Sequence, residues 1–201
     1  SMQWDEVIRV SEHAASLGGS QIYLKPGEEM PVRDLFKSIA IASANDAVTA
    51  LAERVAGTEE AFVEKMNAKA KELGMNDTVF KNPTGLTEEG HLTTPYDMSI
   101  IGRHLVQDYP EIIEFSGLYE DYIRQDTESP FWLVNTNKLL KYVDGVDGLK
   151  TGYTQEAGYC LTATANRGEM RVIAVVMGAS KSDIRNQEVT RLIEYAYGQY
   201  E

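Results

Sequence analysis

The stretch Tyr159-Cys160-Leu161-Thr162-Ala163-Thr164-Ala165-Asn166-Arg167-Gly168-Glu169-Met170-Arg171-Val172-Ile173-Ala174-Val175-Val176-Met177 decides the fold class. Tyr159, Leu161, Ala163 and Ala165 alternate with Cys160, Thr162 and Thr164, and a repeat of two residues places each set on its own face of a strand. Asn166-Arg167-Gly168-Glu169 reads as a hairpin turn. Met170 to Met177, almost wholly apolar past Arg171, is the second strand.

Outward from this hairpin the period changes. Val189, Leu192, Ile193 and Ala196 recur at helical spacing and predict a closing helix, while Gly148 to Tyr153 predicts a third strand. Further upstream the pattern is helical. A helix opens after Pro31 with Val32, Leu35, Phe36, Ile39 and Ala40 on one face, and a second follows Ser43-Ala44-Asn45-Asp46 with Val48, Leu51, Ala52 and Val55, closed by Gly57. Thr58 is positioned to cap the next, whose inner face would be Phe62, Met66 and Leu73, with Gly74 as its left-handed stop. Thr94-Pro95-Tyr96-Asp97 starts another, with Met98, Ile101 and Leu105 as its core stripe. Asn82-Pro83-Thr84-Gly85 is a turn, and the first thirty residues carry turn signals but little regular pattern. Helices followed by an antiparallel meander with a covering helix give an α+β fold in one domain, residues 1–201. Three strands are about the fewest that stand alone, so a sheet this thin suggests that part of it is absent.

Composition excludes several classes. The net charge of -12 is wrong for nucleic acid, whose phosphates demand a basic surface, and for anionic lipid. No apolar run is long enough to cross a bilayer. Ser1-Met2 is expected to be a cloning remnant, and the residues after it lack the pattern of a secretion signal, which leaves the compartment open. Cys160 has no partner for a disulfide and reads as a small buried hydrophobe. His13, His91 and His104 lack metal-like spacing, so no metal and no cofactor is expected.

Two tripeptides carry chemistry: Ser43-Ala44-Asn45 at a helix junction, and Lys150-Thr151-Gly152 at the start of the sheet region. Alone, either reads more readily as a capping serine or a surface lysine turn. Their order changes that, because a Ser-x-Asn followed by Lys-Thr-Gly belongs to the signature of penicillin-recognising serine enzymes. Further blocks run in the same order: Gly18-Gly19-Ser20-Gln21-Ile22-Tyr23-Leu24, Ile41-Ala42-Ser43-Ala44-Asn45-Asp46-Ala47, Asn82-Pro83-Thr84-Gly85-Leu86, and Val146-Asp147-Gly148-Leu149-Lys150-Thr151-Gly152-Tyr153-Thr154. On these residues the chain resembles the low-molecular-mass penicillin-binding proteins, serine D-alanyl-D-alanine carboxypeptidases of the β-lactamase/transpeptidase-like fold.

The resemblance implies an acyl-transfer site acting on a peptidoglycan stem peptide that ends in D-Ala-D-Ala, and acylated by β-lactams. By position, Ser43 would belong to the proton relay toward the departing amine, and Asn45 would hydrogen-bond the substrate backbone. Lys150 would order that relay with its charge. Thr151 would bind the terminal carboxylate through its hydroxyl, Gly152 would keep the strand open, and the Tyr153 N–H would donate to the oxyanion. Several relatives carry histidine where Tyr153 stands. Arg185 matches an arginine that steers the carboxylate, although a solvated helix arginine is an equal reading of that position.

The departure is as definite as the match. No serine in the chain is followed three residues on by lysine, so the S-x-x-K nucleophile is not among these residues. The expectation is a partial catalytic domain without its N-terminal strands and nucleophile helix, inactive by itself, with exposed core faces that a second copy would cover. The alternatives are a non-catalytic module that binds peptidoglycan peptides and a β-lactamase of the same fold. Against the latter stand Asn82 to Leu86 and the want of a glutamate suited to deacylation. The resemblance implies an extracytoplasmic, envelope-associated protein. Relatives often carry a small β-rich domain and an amphipathic tether, and the resemblance implies both for the longer protein.

Overall fold

The computed structural model describes residues 2–200. Ser1, half of the expected cloning remnant, and Glu201 lie outside the described residues, while Met2 packs partly buried against the first core cluster. The elements run β1 (Val7–Arg9), α1 (Glu12–Ala15), β2 (Glu29–Pro31), α2 (Val32–Ala42), α3 (Asn45–Ala56), α4 (Glu59–Glu72), α5 (Pro95–Asp108), α6 (Ile113–Ser116), β3 (Glu120–Ile123), β4 (Phe131–Val134), α7 (Leu139–Tyr142), β5 (Val146–Thr154), β6 (Gly158–Arg167), β7 (Met170–Ala179) and α8 (Ser182–Tyr200). The expected three-stranded meander is present as an antiparallel sheet in the order β5-β6-β7. Two further two-stranded ladders, β1-β2 and β3-β4, lie in stretches where the sequence shows no strand signal.

Two cores divide the molecule. The first gathers Ile8, Ile22, Leu24, Leu35, Ile41 and Ala47 with Ile123 and Leu133 of the β3-β4 ladder. The second packs Leu161, Ala163, Ala165 and Ala174 against Val189, Ile193 and Tyr197 of α8, so the alternation along β6 buries the predicted face. The opposite face meets α5. There Gly102 allows close approach, since a Cβ at that position would stand 3.2 Å from Thr162 Cγ2 and 3.5 Å from both Ile173 and Leu149 side-chain atoms.

The helix signals hold in detail. The Thr58 hydroxyl accepts the N–H of Ala61, that of Thr94 accepts the N–H of Asp97, and Gly57 and Gly74 take positive φ where the helices stop. The expected inner faces are less complete. Phe62, Met66 and Leu73 are only half-buried, as are Met98, Ile101 and Leu105; in α4 the buried residue is Ala70, and in α5 they are Asp97 and Gly102. Helical periodicity finds the stripe but not how closely a neighbour approaches it.

Candidate active site

Ser43 sits at the joint between α2 and α3. Its backbone is left-handed (φ 59°, ψ 37°), and its N–H and that of Ala44 close the end of α2 on the carbonyls of Ile39 and Ser38. That conformation normally belongs to glycine, because a Cβ crowds the following carbonyl. The bend turns α3 back along α2 and leaves the Ser43 side chain half-buried, with no hydrogen-bond partner for its hydroxyl among the described residues.

Asn45 opens α3 and is only 6% exposed. Its N–H donates to the Ser20 carbonyl at 2.8 Å and its Nδ2 to the Gly18 carbonyl at 2.9 Å. Gly19 between them has φ +80°, and a Cβ there would stand 2.8 Å from Asn45 Nδ2. Asp46, fully buried, fastens the same loop: its carboxylate accepts the N–H groups of Ile22 (3.2 Å) and Leu24 (3.0 Å) and that of Ala47 (2.9 Å). Asn45 is therefore first a brace for residues 18–20. Its Oδ1 accepts no hydrogen bond among the described residues.

The second half of the site lies on β5, an edge strand of the sheet. A bulge between Val146 and Gly148 sets Asp147 apart from the ladder, and its carboxylate takes a two-pronged salt bridge from Arg171 of β7, both contacts at 2.8 Å. Lys150 then turns inward. Its ammonium donates to the Thr151 carbonyl at 2.9 Å and forms no salt bridge among the described residues, and burial together with the Arg185 guanidinium lowers its pKa to about 8. Gly152 is exposed, and a Cβ there would meet nothing within 4 Å. No protein neighbour demands glycine at that point. Tyr153 is exposed and its ring stacks on Tyr159, centroids 4.3 Å apart.

Arg185 corrects the solvated reading. It is 5% exposed, with its guanidinium on Asn186 Oδ1 (2.9 and 3.1 Å) and, at 3.5 Å, on the Cys160 carbonyl opposite Gly152. It forms no salt bridge among the described residues, and burial holds its pKa below the usual guanidinium range. The first turn of α8 packs on β6, and that packing carries the side chain over the sheet instead of into water.

Lys150, Thr151 and Arg185 thus share one neighbourhood, and Ser43 and Asn45 share another. No hydrogen bond joins the two groups among the described residues. Two routes of contact bridge them. Leu86 lies beside Gly19, which Asn45 also touches, and the adjacent Thr87 hydroxyl donates to Glu156 in the β5-β6 turn at 2.7 Å. On the other flank Arg124, the residue after β3, donates to the Ile22 carbonyl at 2.9 Å, and the β3-β4 ladder leads into Thr136, whose hydroxyl is in hydrogen-bond contact with that of Thr151.

Residues 135–137 were not marked by any sequence pattern. Asn135 and Asn137 are both buried. The first donates to the carbonyls of Ser116 (3.3 Å) and Leu118 (2.8 Å) and accepts the Asn137 N–H (2.8 Å); the second donates to the Gly148 carbonyl (3.3 Å) and accepts the Leu139 N–H (3.2 Å). Two asparagines flanking a threonine just ahead of a Lys-Thr-Gly strand are the signal that was available.

A helical cluster beside an antiparallel sheet, with a Ser-x-Asn bend and a Lys-Thr-Gly edge strand, is the architecture of the penicillin-recognising serine enzymes. The chain belongs to the D-alanyl-D-alanine carboxypeptidase family, whose model matches residues 1–181. It is 58% identical over 200 residues to the carboxypeptidase DacF of Bacillus subtilis, covering all of this chain and 51% of that protein, and 40% identical to DacC of Escherichia coli, covering 92% and 45%. The chain spans about half the length of these relatives. Its fold superposes on the crystal structure of the carboxypeptidase DacD from Francisella tularensis with a TM-score of 0.91 at 33% identity, over 96% of this chain and 58% of that one. Penicillin-binding protein D2 from Listeria monocytogenes, solved with cefotaxime bound, matches at 0.84 and 33%, over 97% and 78%. Among the described residues no helix is long and apolar enough to cross a membrane, and no cluster of three or more metal-ligating side chains occurs.

Proposed function

We propose that this chain carries the substrate-recognition part of a serine-type D-Ala-D-Ala carboxypeptidase. The observation that carries the reading is the pair Lys150 and Arg185: two largely buried cations, Lys150 depressed by burial and by the Arg185 charge, with neither in a salt bridge among the described residues. Burying like charges without a counter-ion is costly, and the cost is recovered when an anion enters. The anion that fits is the C-terminal carboxylate of a peptidoglycan stem peptide, held also by the Thr151 hydroxyl. With the terminal residue anchored there, the scissile carbonyl would lie along β5 toward Gly152 and Tyr153, where an edge strand has alternate N–H groups free to receive an oxyanion. Ser43 would pass a proton to the leaving amine, and Asn45 Oδ1 would accept a substrate N–H.

The nucleophile is assigned to an S-x-x-K serine outside these 201 residues, since none of their serines has the required lysine. Its hydroxyl would add to the carbonyl, expel D-alanine, and leave an ester for water to cleave; a β-lactam would acylate the same oxygen. The chain alone is expected to release no D-alanine. The absent S-x-x-K favours a second reading of the chain by itself, as a non-catalytic peptide-binding module; neither reading gives these residues a nucleophile, so fluorescent penicillin separates the two only on the longer protein, where covalent labelling demands an S-x-x-K serine. An extracytoplasmic site of action follows from the substrate.

The direct test is binding of an N-acylated L-Lys-D-Ala-D-Ala tripeptide, as free acid and as C-terminal amide, followed by NMR titration. The acid should bind more tightly than the amide, and Lys150→Met or Arg185→Gln should remove the preference. Equal binding of acid and amide by the unmodified chain would sink the proposal.

A further inference from the structure

Thr136 is exposed, yet its hydroxyl meets the hydroxyl of Thr151 directly. Nothing in the loop leaves that position free. The buried side chains on either side clamp it: Asn135 to the backbone after α6, Asn137 to the carbonyl of Gly148, two residues before Lys150. Lys138 adds a bond from its ammonium to the Asn135 carbonyl at 3.0 Å. Four side chain-to-backbone bonds therefore fix the backbone of an exposed residue to the strand that it touches. A structural role for this clamp would be served by any residue at 136; the contact with Thr151 requires a hydroxyl.

Each threonine hydroxyl has one proton and two acceptor lone pairs. If Thr151 donates to Thr136, its proton is spent and only lone pairs face an incoming anion. If Thr136 donates to Thr151, the Thr151 proton is free to point at the carboxylate, and accepting one bond polarises it to donate a better one. An anion beside Lys150 and Arg185 selects the second arrangement. We propose that Thr136 is a positioning residue for carboxylate recognition: it donates to Thr151 Oγ1 and so commits the Thr151 proton to the ligand. The inference rests on reading Lys150, Thr151 and Arg185 as the carboxylate receptor.

The test uses the same two tripeptides, free acid and amide, with the unmodified chain and with Thr136→Val and Thr136→Ser. Valine keeps the shape and removes the hydroxyl on an exposed residue, so the melting temperature should not move. Valine is expected to weaken the free acid about fivefold, the worth of one hydrogen bond, without changing the amide, and serine is expected to restore acid binding. Unmodified affinity in the valine variant, or equal weakening of acid and amide, would overturn the inference while leaving the receptor standing. An unmodified chain that fails to prefer the acid overturns the receptor itself, and this inference with it.

Discussion

Lys150 on β5 lies beside the Arg185 guanidinium delivered by the first turn of α8; burial first, and then that neighbouring charge, lower the Lys150 pKa, and neither cation forms a salt bridge among the described residues. An arrangement of this kind is a liability for the empty fold. At pH values below about 8, Lys150 is charged in both the folded and unfolded chain, and the folded state carries the full penalty of burying it. From there to the ordinary lysine value near 10.4 the unfolded chain holds a proton that the folded one has released, so stability rises with pH. Lys150→Met should therefore be the more stable protein at pH 7, by an amount on the order of 3 kcal/mol at most. Its advantage should shrink toward pH 10.5. Urea denaturation of both proteins across that range checks the sign. Binding of the free-acid tripeptide should run the other way, falling as pH passes through 8.

Ser43 holds a left-handed backbone that glycine would hold without strain. Ser43→Gly and Ser43→Ala both delete the hydroxyl, but only alanine keeps a Cβ in that conformation. The glycine variant is expected to be more stable than the alanine variant by roughly 1 kcal/mol. Equal stabilities, measured by thermal melts at one pH, would mean that the bend stores no strain. If the difference appears, a serine is retained there at a cost to stability, which is the pattern of a functional position.

The contrast between residues that could be read in advance and those that could not has a physical basis. Leu161, Ala163 and Ala165 announce their face because a strand repeats every two residues, and Thr58 and Thr94 announce their caps because the groups they bond lie three residues away. Ser43-Ala44-Asn45 and Lys150-Thr151-Gly152 were legible as strings, through resemblance. The clamp at Asn135 and Asn137 was not, since its partners at Ser116 and Gly148 are distant in the chain and three polar loop residues have no period. Arg185 was ambiguous for the same reason: helical position says where its Cα lies, while only the packing of α8 on the sheet decides whether the guanidinium meets water. Gly102 carries no signal in the helical pattern, because only the sheet beneath it sets the distance. The β3-β4 ladder escaped because each strand buries a single residue, Ile123 and Leu133.

Asp46 is the strongest tie between the N-terminal loop and α3. Asp46→Ala would strand the buried N–H groups of Ile22 and Leu24, and charge-assisted bonds of this kind are individually worth about 2 kcal/mol. A loss of about 3 kcal/mol is expected, allowing for water reaching part of the loop. Amide exchange gives the local readout. Ile22 and Leu24 should exchange much faster in the variant, while Ala165 in the other core should change only with global stability. Uniform acceleration across both cores would show that Asp46 does not act on the loop in particular.

Gly148 stands where β5 passes the end of α6, and a Cβ there would come within 2.5 Å of Ser116 Oγ and 3.3 Å of Thr164 Cγ2. Gly148→Ala must displace one of them, at about 2 kcal/mol if the core resists as cores usually do. Ser116→Ala removes the nearer atom, together with its bond to the Asp147 carbonyl, and costs something by itself. In combination the two should cost less than their sum by about 1 kcal/mol, because the second change makes room for the first. The same pair probes the site. Gly148 also offers its carbonyl to Asn137 and lies two residues before Lys150, so pushing it outward shifts both the clamp and the receptor strand. Free-acid tripeptide binding should fall in Gly148→Ala and recover in the double variant. Strictly additive stabilities would place the clash elsewhere, on Thr164. Recovered stability without recovered binding would instead show that β5 tolerates the shift as a strand but not as a binding surface.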